Sequence, residues 1–158
     1  MSAPADGYLR RMSDDKNAAK NLVTTLKDGR KGYTEAAEKL TDSDRPEWAR
    51  TMNQFAQQRA ALAQEIVDLG HAYGDDVDES GSVAAAAHRG WLAVKDLVTG
   101  DSPSGVLDAA VSGEDHSVRA YEDALKQDLS AGFRTVVERQ RAEVVAARDT
   151  VKALQAAS

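Results

Sequence analysis

Apolar residues recur at steps of three and four along four long stretches of this chain, and this spacing constrains the fold more than any other feature. Such spacing puts the apolar side chains on one face of an α-helix. The predicted helices cover residues 14–40, 46–73, 103–127 and 131–157. Helices of about 25 residues are about 37 Å long, so the four can lie side by side over their whole length. The pattern predicts an all-α protein in which four amphipathic helices share one core.

Local signals set the ends of these helices. The string at 44–47, DRPE, is a capping box with a proline in the first helical turn. Ser102 and Ser130 can cap the third and fourth helices. Gly29 and Gly32 interrupt the first helix, where each costs about 1 kcal/mol against alanine. We expect these two glycines to allow another helix to approach closely.

The second and third helices are separated by a long connection. Residues 74–82 are acidic and rich in turn-forming residues, and a shorter helix is predicted at 83–99. Two helix pairs joined by one long crossover make a ferritin-like up-down four-helix bundle, with a short fifth helix on the crossover. We expect residues 1–13 to be a disordered tail and residues 14–157 to be a single domain.

Composition excludes several classes of function. The 158 residues carry 20 Lys and Arg against 26 Asp and Glu, a net charge of −6 that repels phosphate backbones and anionic lipids. There is no cysteine, so disulfides, thiolate metal sites and cysteine nucleophiles are excluded. No apolar run has the length of a membrane span or the pattern of a signal peptide. We therefore expect a cytoplasmic protein that binds neither nucleic acid nor membrane.

A polar residue interrupts three of the apolar stripes near their centres. These residues are Arg59, Glu114 and Gln140, on the second, third and fourth helices. Buried charges persist when they are paired and hydrogen-bonded, so we expect an ion pair between Arg59 and Glu114 with Gln140 as a neutral third member. Tyr33 and Tyr121 lie on neighbouring stripes and are natural hydrogen-bond donors to Glu114. The alternative is that helix rotation lets one or more of these side chains reach solvent.

The second alternative is a metal centre at the level of these three polar residues in the bundle. Di-iron and di-manganese bundles use glutamates together with Glu-x-x-His motifs, and this chain has none; its nearest string is DLGH at 68–71. An atypical site would have to use Glu114, Glu143 and His88. Arg59 on the facing helix would repel a divalent cation, so the hypothesis that we prefer has no cofactor.

The crossover carries two further candidate sites. Residues 76–81, DVDESG, match the opening of a calcium-binding loop, but Ala87 stands where its bidentate glutamate belongs. We interpret this string as a solvated acidic turn. His88, Arg89 and Trp91 follow, and we expect them to anchor the short helix against the bundle.

Several strings together resemble an uncharacterised bacterial ferritin-like four-helix-bundle family, a domain of unknown function. The resemblance covers about residues 22–154. The strings are KDG at 27–29, AAE at 36–38, HRGW at 88–91, GED at 113–115 and AL at 124–125, together with Tyr33, Tyr121 and Gln140. The resemblance implies the fold, and it implies a histidine where this chain has Arg148.

Three functions remain open at the level of sequence. The first is a metal-free ferritin-like bundle with a structural or regulatory role, such as one associated with stress. The second is a di-metal oxidase or metal-storage protein that uses Glu114. The third is an interaction module in which Trp48, His88 and Arg89 contact a partner protein. By analogy with other bundles we expect a homodimer or a monomer.

Overall fold

Four α-helices make up the part of the chain that the structure describes. It is a computed structural model that describes residues 4–70 and 102–158, with side chains from residue 7 onward. The helices are α1, Pro4–Thr41; α2, Pro46–Gly70; α3, Pro103–Leu125; and α4, Ala131–Ala157. Within these ranges the chain is helical with short connections and has no strand. The prediction of an all-α protein with four long helices is confirmed there.

The starts of α2, α3 and α4 follow the local signals, whereas the start of α1 does not. The Oγ of Ser102 accepts a hydrogen bond from the backbone N–H of Gly105 at 3.2 Å, and Pro103 lies in the first turn of α3. Ser130 is the N-cap residue of α4, but its hydroxyl donates to Asp15 of α1 and makes no cap bond of its own. The carboxylate of Asp15 also accepts from the backbone N–H of Ser130, so α1 is bonded directly to the start of α4.

The first helix corrects one prediction. α1 begins at Pro4, ten residues before the predicted start at residue 14, so residues 4–13 are helical where we expected part of a disordered tail. Residues 1–3 of that tail lie outside the described residues. None of residues 7–13 is buried, which is why the apolar periodicity did not include this segment. Proline suits the first turn of a helix because its missing N–H has no helical partner there. Tyr8 and Leu9 on this segment are each 60% exposed.

Contacts between the helices define their directions and their order around the bundle. α1 packs against α2 and α3, and α4 packs against α3 and, less extensively, α2. Asp15, near the start of α1, bonds to Ser130, which precedes α4. Glu65, near the end of α2, bonds to Arg139, near the start of α4. α1 and α4 therefore run in one direction and α2 and α3 in the other, with α2 and α3 at diagonal corners.

Two apolar clusters fill the interior, one toward each end of the bundle. The first joins the early part of α1 to the late parts of α2 and α3 and the early part of α4. The second joins the late part of α1 to the early parts of α2 and α3 and the late part of α4. Leu69 of α2 is 37% exposed and belongs to neither cluster. A layer of polar side chains lies between the two clusters.

Several predictions fall on residues 71–101, outside the described residues. They are the short helix at 83–99, the acidic string at 76–81, His71, and the anchor residues His88, Arg89 and Trp91. Among the described helices, none is both long enough and apolar enough to cross a membrane.

Candidate functional site

Arg59 and Glu114 form a bidentate ion pair in the middle of the bundle. Nη1 of Arg59 donates to Oε1 of Glu114 at 2.6 Å, and Nη2 donates to Oε2 at 2.5 Å. Both side chains are 0% exposed. The third guanidinium nitrogen, Nε, donates to the side-chain oxygen of Gln58 at 3.2 Å. Each carboxylate oxygen thus accepts from the cation, which is the strongest geometry available to such a pair.

α1 shapes the space that the arginine occupies. Gly29 is buried and faces the side chain of Arg59: a Cβ added at Gly29 would lie 3.6 Å from the Cγ of Arg59. Four residues further along α1, the ring of Tyr33 lies 5.4 Å from the Arg59 guanidinium carbon. That separation allows a cation–π attraction. The glycine that we expected to admit a neighbouring helix therefore admits its long side chain.

Burial and the ion pair determine which of these groups are charged. Burial by itself lowers the pKa of Arg59, but the Glu114 carboxylate outweighs burial and raises that pKa above its usual value. Burial, followed by the negative charge of Glu114, raises the pKa of Tyr33 well above 10.0. Burial is also the main cause that raises the pKa of Tyr121. The layer therefore holds a guanidinium cation and two neutral phenols at physiological pH.

Gln140 connects this layer to the surface. The Tyr121 hydroxyl donates to Oε1 of Gln140 at 2.8 Å, so this tyrosine bonds to the glutamine and not to Glu114 as we expected. Nε2 of Gln140 donates to the backbone oxygen of Leu62 at 3.2 Å and to Oε1 of Glu65 at 2.6 Å. Gln140 is fully buried and joins α2, α3 and α4.

Three residues that bond between helices were missed in the sequence, and two of them, Glu65 and Arg139, belong to this network. Glu65 accepts hydrogen bonds from Arg139 as well as from Gln140. Asp15 is buried, and its carboxylate accepts from the backbone N–H of Ser130 at 2.9 Å and from the Ser130 hydroxyl at 2.6 Å. Glu65 and Arg139 lie at the edges of their stripes, where a charge usually indicates a solvated face. Only the placement of one helix against another brings them together.

Glu114 and Glu143, the two candidate metal ligands among the described residues, are each engaged by an arginine, and His88 lies outside these residues. Glu143 is on the outside of α4, where it accepts from Arg139 at 2.8 Å, and Glu114 is fully engaged by Arg59. Nη1 of Arg148, which stands where the resemblance implies a histidine, lies 3.7 Å from Asp115. Within residues 4–70 and 102–158 no three metal-ligating side chains come together. The residues described at this height do not fit a di-metal centre, because a guanidinium occupies the position facing the one buried glutamate.

Two residues named in the other hypotheses have ordinary structural positions. Trp48, proposed as a contact residue of an interaction module, is buried, and the Arg45 guanidinium carbon lies 5.1 Å from its ring centre. Asp68, in the string nearest to a metal motif, accepts from Gln64 on the surface of α2. Neither residue belongs to the polar layer.

The described residues define a four-helix bundle whose central layer is an internal ion pair surrounded by neutral hydrogen-bonding side chains. A protein-family model described as domain of unknown function DUF2383 matches residues 15–127, and the chain belongs to that family. The matched range includes Tyr33, Arg59, Glu114 and Tyr121, and it ends before α4 and Gln140. No curated protein and no solved structure matches the chain.

Proposed function

We propose that this protein is a metal-free, ferritin-like helical bundle with a structural or regulatory role, in which the buried ion pair takes the place of a metal centre. The observation that carries the proposal is the bidentate contact between Arg59 and both oxygens of Glu114. A carboxylate engaged in this way has its charge neutralised and its strongest acceptor positions filled. A metal ion would have to displace the guanidinium, which cannot give up its own charge.

The arrangement of the helices supports the ferritin-like part of the proposal. α2 and α3 run in the same direction at diagonal corners, so the end of α2 and the start of α3 lie at opposite ends of the bundle. Bundles of the ferritin type have one long connection at this point of the chain. The chain has 32 residues between Gly70 and Pro103, which is ample length for such a connection.

The chemistry of the layer supports a structural role. Hydrogen bonds and the ion pair join each of α2, α3 and α4 to at least one other helix at the same height. Sliding one helix by a turn would leave a buried charge or amide without its partner, at a cost of several kcal/mol. A polar layer of this kind can fix the register of the helices in a way that uniform apolar packing cannot.

Metal loading tests the proposal directly. The full-length protein is purified without chelators, incubated anaerobically with Fe²⁺ or Mn²⁺, desalted, and analysed for metal content and for a shift in melting temperature. We expect far less than one ion per chain and no shift. A metal content near two ions per chain that is lost in the Glu114→Gln variant would refute the proposal.

A matched variant makes the result specific to the guanidinium. Arg59→Gln frees the Glu114 carboxylate while keeping a polar side chain at the position. If Arg59 takes the place of the cation, this variant alone should bind a divalent ion measurably. Glu143→Gln serves as the control, because Glu143 lies outside the layer and its loss should leave the metal content unchanged.

A further inference from the structure

The four neighbouring helix pairs are not equally close. α1 and α2 pack most extensively, α3 packs well against both α1 and α4, and α2 and α4 make the fewest backbone approaches. The bundle is therefore made of two helical hairpins, α1 with α2 and α3 with α4. They are joined closely along the α1–α3 boundary and loosely along the α2–α4 boundary, which we call the seam.

The hydrogen bonds that cross the seam in the described part of the chain lie at one height. Glu65 of α2 accepts from Arg139 and from Gln140 of α4, and the Leu62 carbonyl accepts from Gln140. We call Glu65, Arg139 and Gln140 the latch. At this height, long side chains connect α2 to α4 although the two backbones make few close approaches.

The latch has one end in solvent and the other in the buried layer. The side chain of Arg139 is 49% exposed and that of Glu65 is 38% exposed, whereas Gln140 is fully buried and accepts from Tyr121. The outer part of the latch is thus open to salt and water, while Arg59 and Glu114 behind it are sealed. An ion pair at the surface is weak and easily screened, whereas a buried pair is not.

We propose that the bundle opens at the seam, with the α1–α3 boundary as its hinge, and that the latch holds it closed. Opening moves α2 away from α4 and admits water to the Arg59–Glu114 pair. Hydration of the two charges offsets part of the cost of exposing the apolar core, since each charge regains its water shell. Among the boundaries between the described helices, the seam is the one where separation breaks the fewest packing contacts.

Hydrogen exchange of the full-length protein at neutral pH, read by mass spectrometry, tests this proposal. Glu65→Ala removes the acceptor shared by Arg139 and Gln140. We expect exchange to accelerate by about fivefold to thirtyfold in residues 59–69 and 137–147, because a change of 1 to 2 kcal/mol corresponds to that factor. Residues 21–33 of α1 and 107–118 of α3 should exchange at the wild-type rate.

Two controls separate opening at the seam from a general loss of stability. Asp123→Asn removes an exposed carboxylate that pairs with Lys126 within the α3–α4 turn, and it should change no segment of the seam. Val151→Ala shortens a buried side chain away from the latch, and it should not reproduce the Glu65→Ala pattern. Equal acceleration in all four helices of Glu65→Ala, or none in the two seam segments, would overturn the proposal.

Hydrogen exchange at high salt tests the latch in the wild-type protein without a mutation. In 1 M NaCl the exposed Glu65–Arg139 contact is screened while the buried pair is not. Exchange in the two seam segments of the wild-type protein should then approach that of Glu65→Ala, and the variant itself should respond little. If salt left exchange in the seam segments of the wild-type protein unchanged but accelerated it in Glu65→Ala, the proposed role of the latch would be wrong.

Discussion

Arg59 of α2 and Glu114 of α3 meet across the diagonal of the bundle, although their helices are not neighbours. Their two hydrogen bonds, 2.6 and 2.5 Å long, join the α1–α2 hairpin to the α3–α4 hairpin. Both side chains are shielded from water. Each charge therefore depends on the other to compensate for the water that it lost on burial.

Removing only the cation should be costly. Arg59→Met leaves Glu114 buried without its partner, and we expect the free energy of unfolding to fall by about 3 to 5 kcal/mol. Urea denaturation followed by circular dichroism measures the change. The double variant Arg59→Met with Glu114→Leu should recover most of the loss, because apolar side chains of similar size need no partner. An unchanged midpoint in the single variant would show that the pair is not buried in solution.

Gly29 should accept alanine but not a large side chain. A Cβ at this position meets the Arg59 side chain at 3.6 Å, an ordinary van der Waals distance. Gly29→Ala should therefore stabilise the protein by up to about 1 kcal/mol through helix propensity. Gly29→Leu should destabilise it, because the added carbons compete with the guanidinium stem for space. Gly132→Leu is the matched control, since nothing lies within 4 Å of a Cβ there, and it should be tolerated.

Tyr121 and Gln140 should be energetically coupled. Tyr121→Phe takes the donor away from a buried amide oxygen, at an expected cost of about 1 to 3 kcal/mol. In a double-mutant cycle with Gln140→Leu, the loss of unfolding free energy in the double variant should differ from the sum of the two single losses by about 0.5 to 3 kcal/mol. Tyr8→Phe controls for loss of a hydroxyl as such, because Tyr8 is exposed. Strict additivity would mean that the 2.8 Å contact does not form.

Glu65 should contribute to the acid sensitivity of the fold. Burial alone would raise its pKa, but hydrogen bonds from Arg139 and Gln140 outweigh burial and hold the pKa below 4.5. The unfolded state then binds more protons than the folded state at pH values below that reference. Stability from this group is therefore present above pH 4.5 and lost as the pH falls through the lowered pKa.

The measurement is the free energy of unfolding in urea from pH 7 down to pH 3. Wild-type stability should decline more steeply at the acid end than that of Glu65→Gln, which cannot take up the proton. Added salt should reduce the difference, because the group is partly exposed. Parallel curves for the two proteins would contradict the assignment.

The helices could be predicted from sequence because their signals are local. Ser102 and Pro103 set the start of α3, and the spacing of apolar residues indicates which face of each helix is buried. α1 differs: none of residues 7–13 is buried, so the periodicity placed its start too late.

The contacts within the polar layer could be predicted from sequence only in part. The stripes placed Arg59, Glu114 and Gln140 on inward faces, since a residue flanked by core positions at three or four steps must point the same way. They did not show that Tyr121 bonds to Gln140, or that Glu65 and Arg139 complete the chain of bonds to the surface. Such partners are about 19 to 75 residues apart, so no spacing rule connects them.

The sequence by itself determined that the chain forms long amphipathic helices with polar residues at the centres of three of them. Those properties depend on backbone propensity and on a period of 3.6 residues, both of which act over a few turns. Only the tertiary structure decided the diagonal placement of α2 and α3, the bonds of Gln140 to Tyr121 and to Glu65, and the looser seam between α2 and α4. These features depend on how helices distant in the chain pack together, because the partner of a buried charge is chosen by proximity in space and not by order in the sequence.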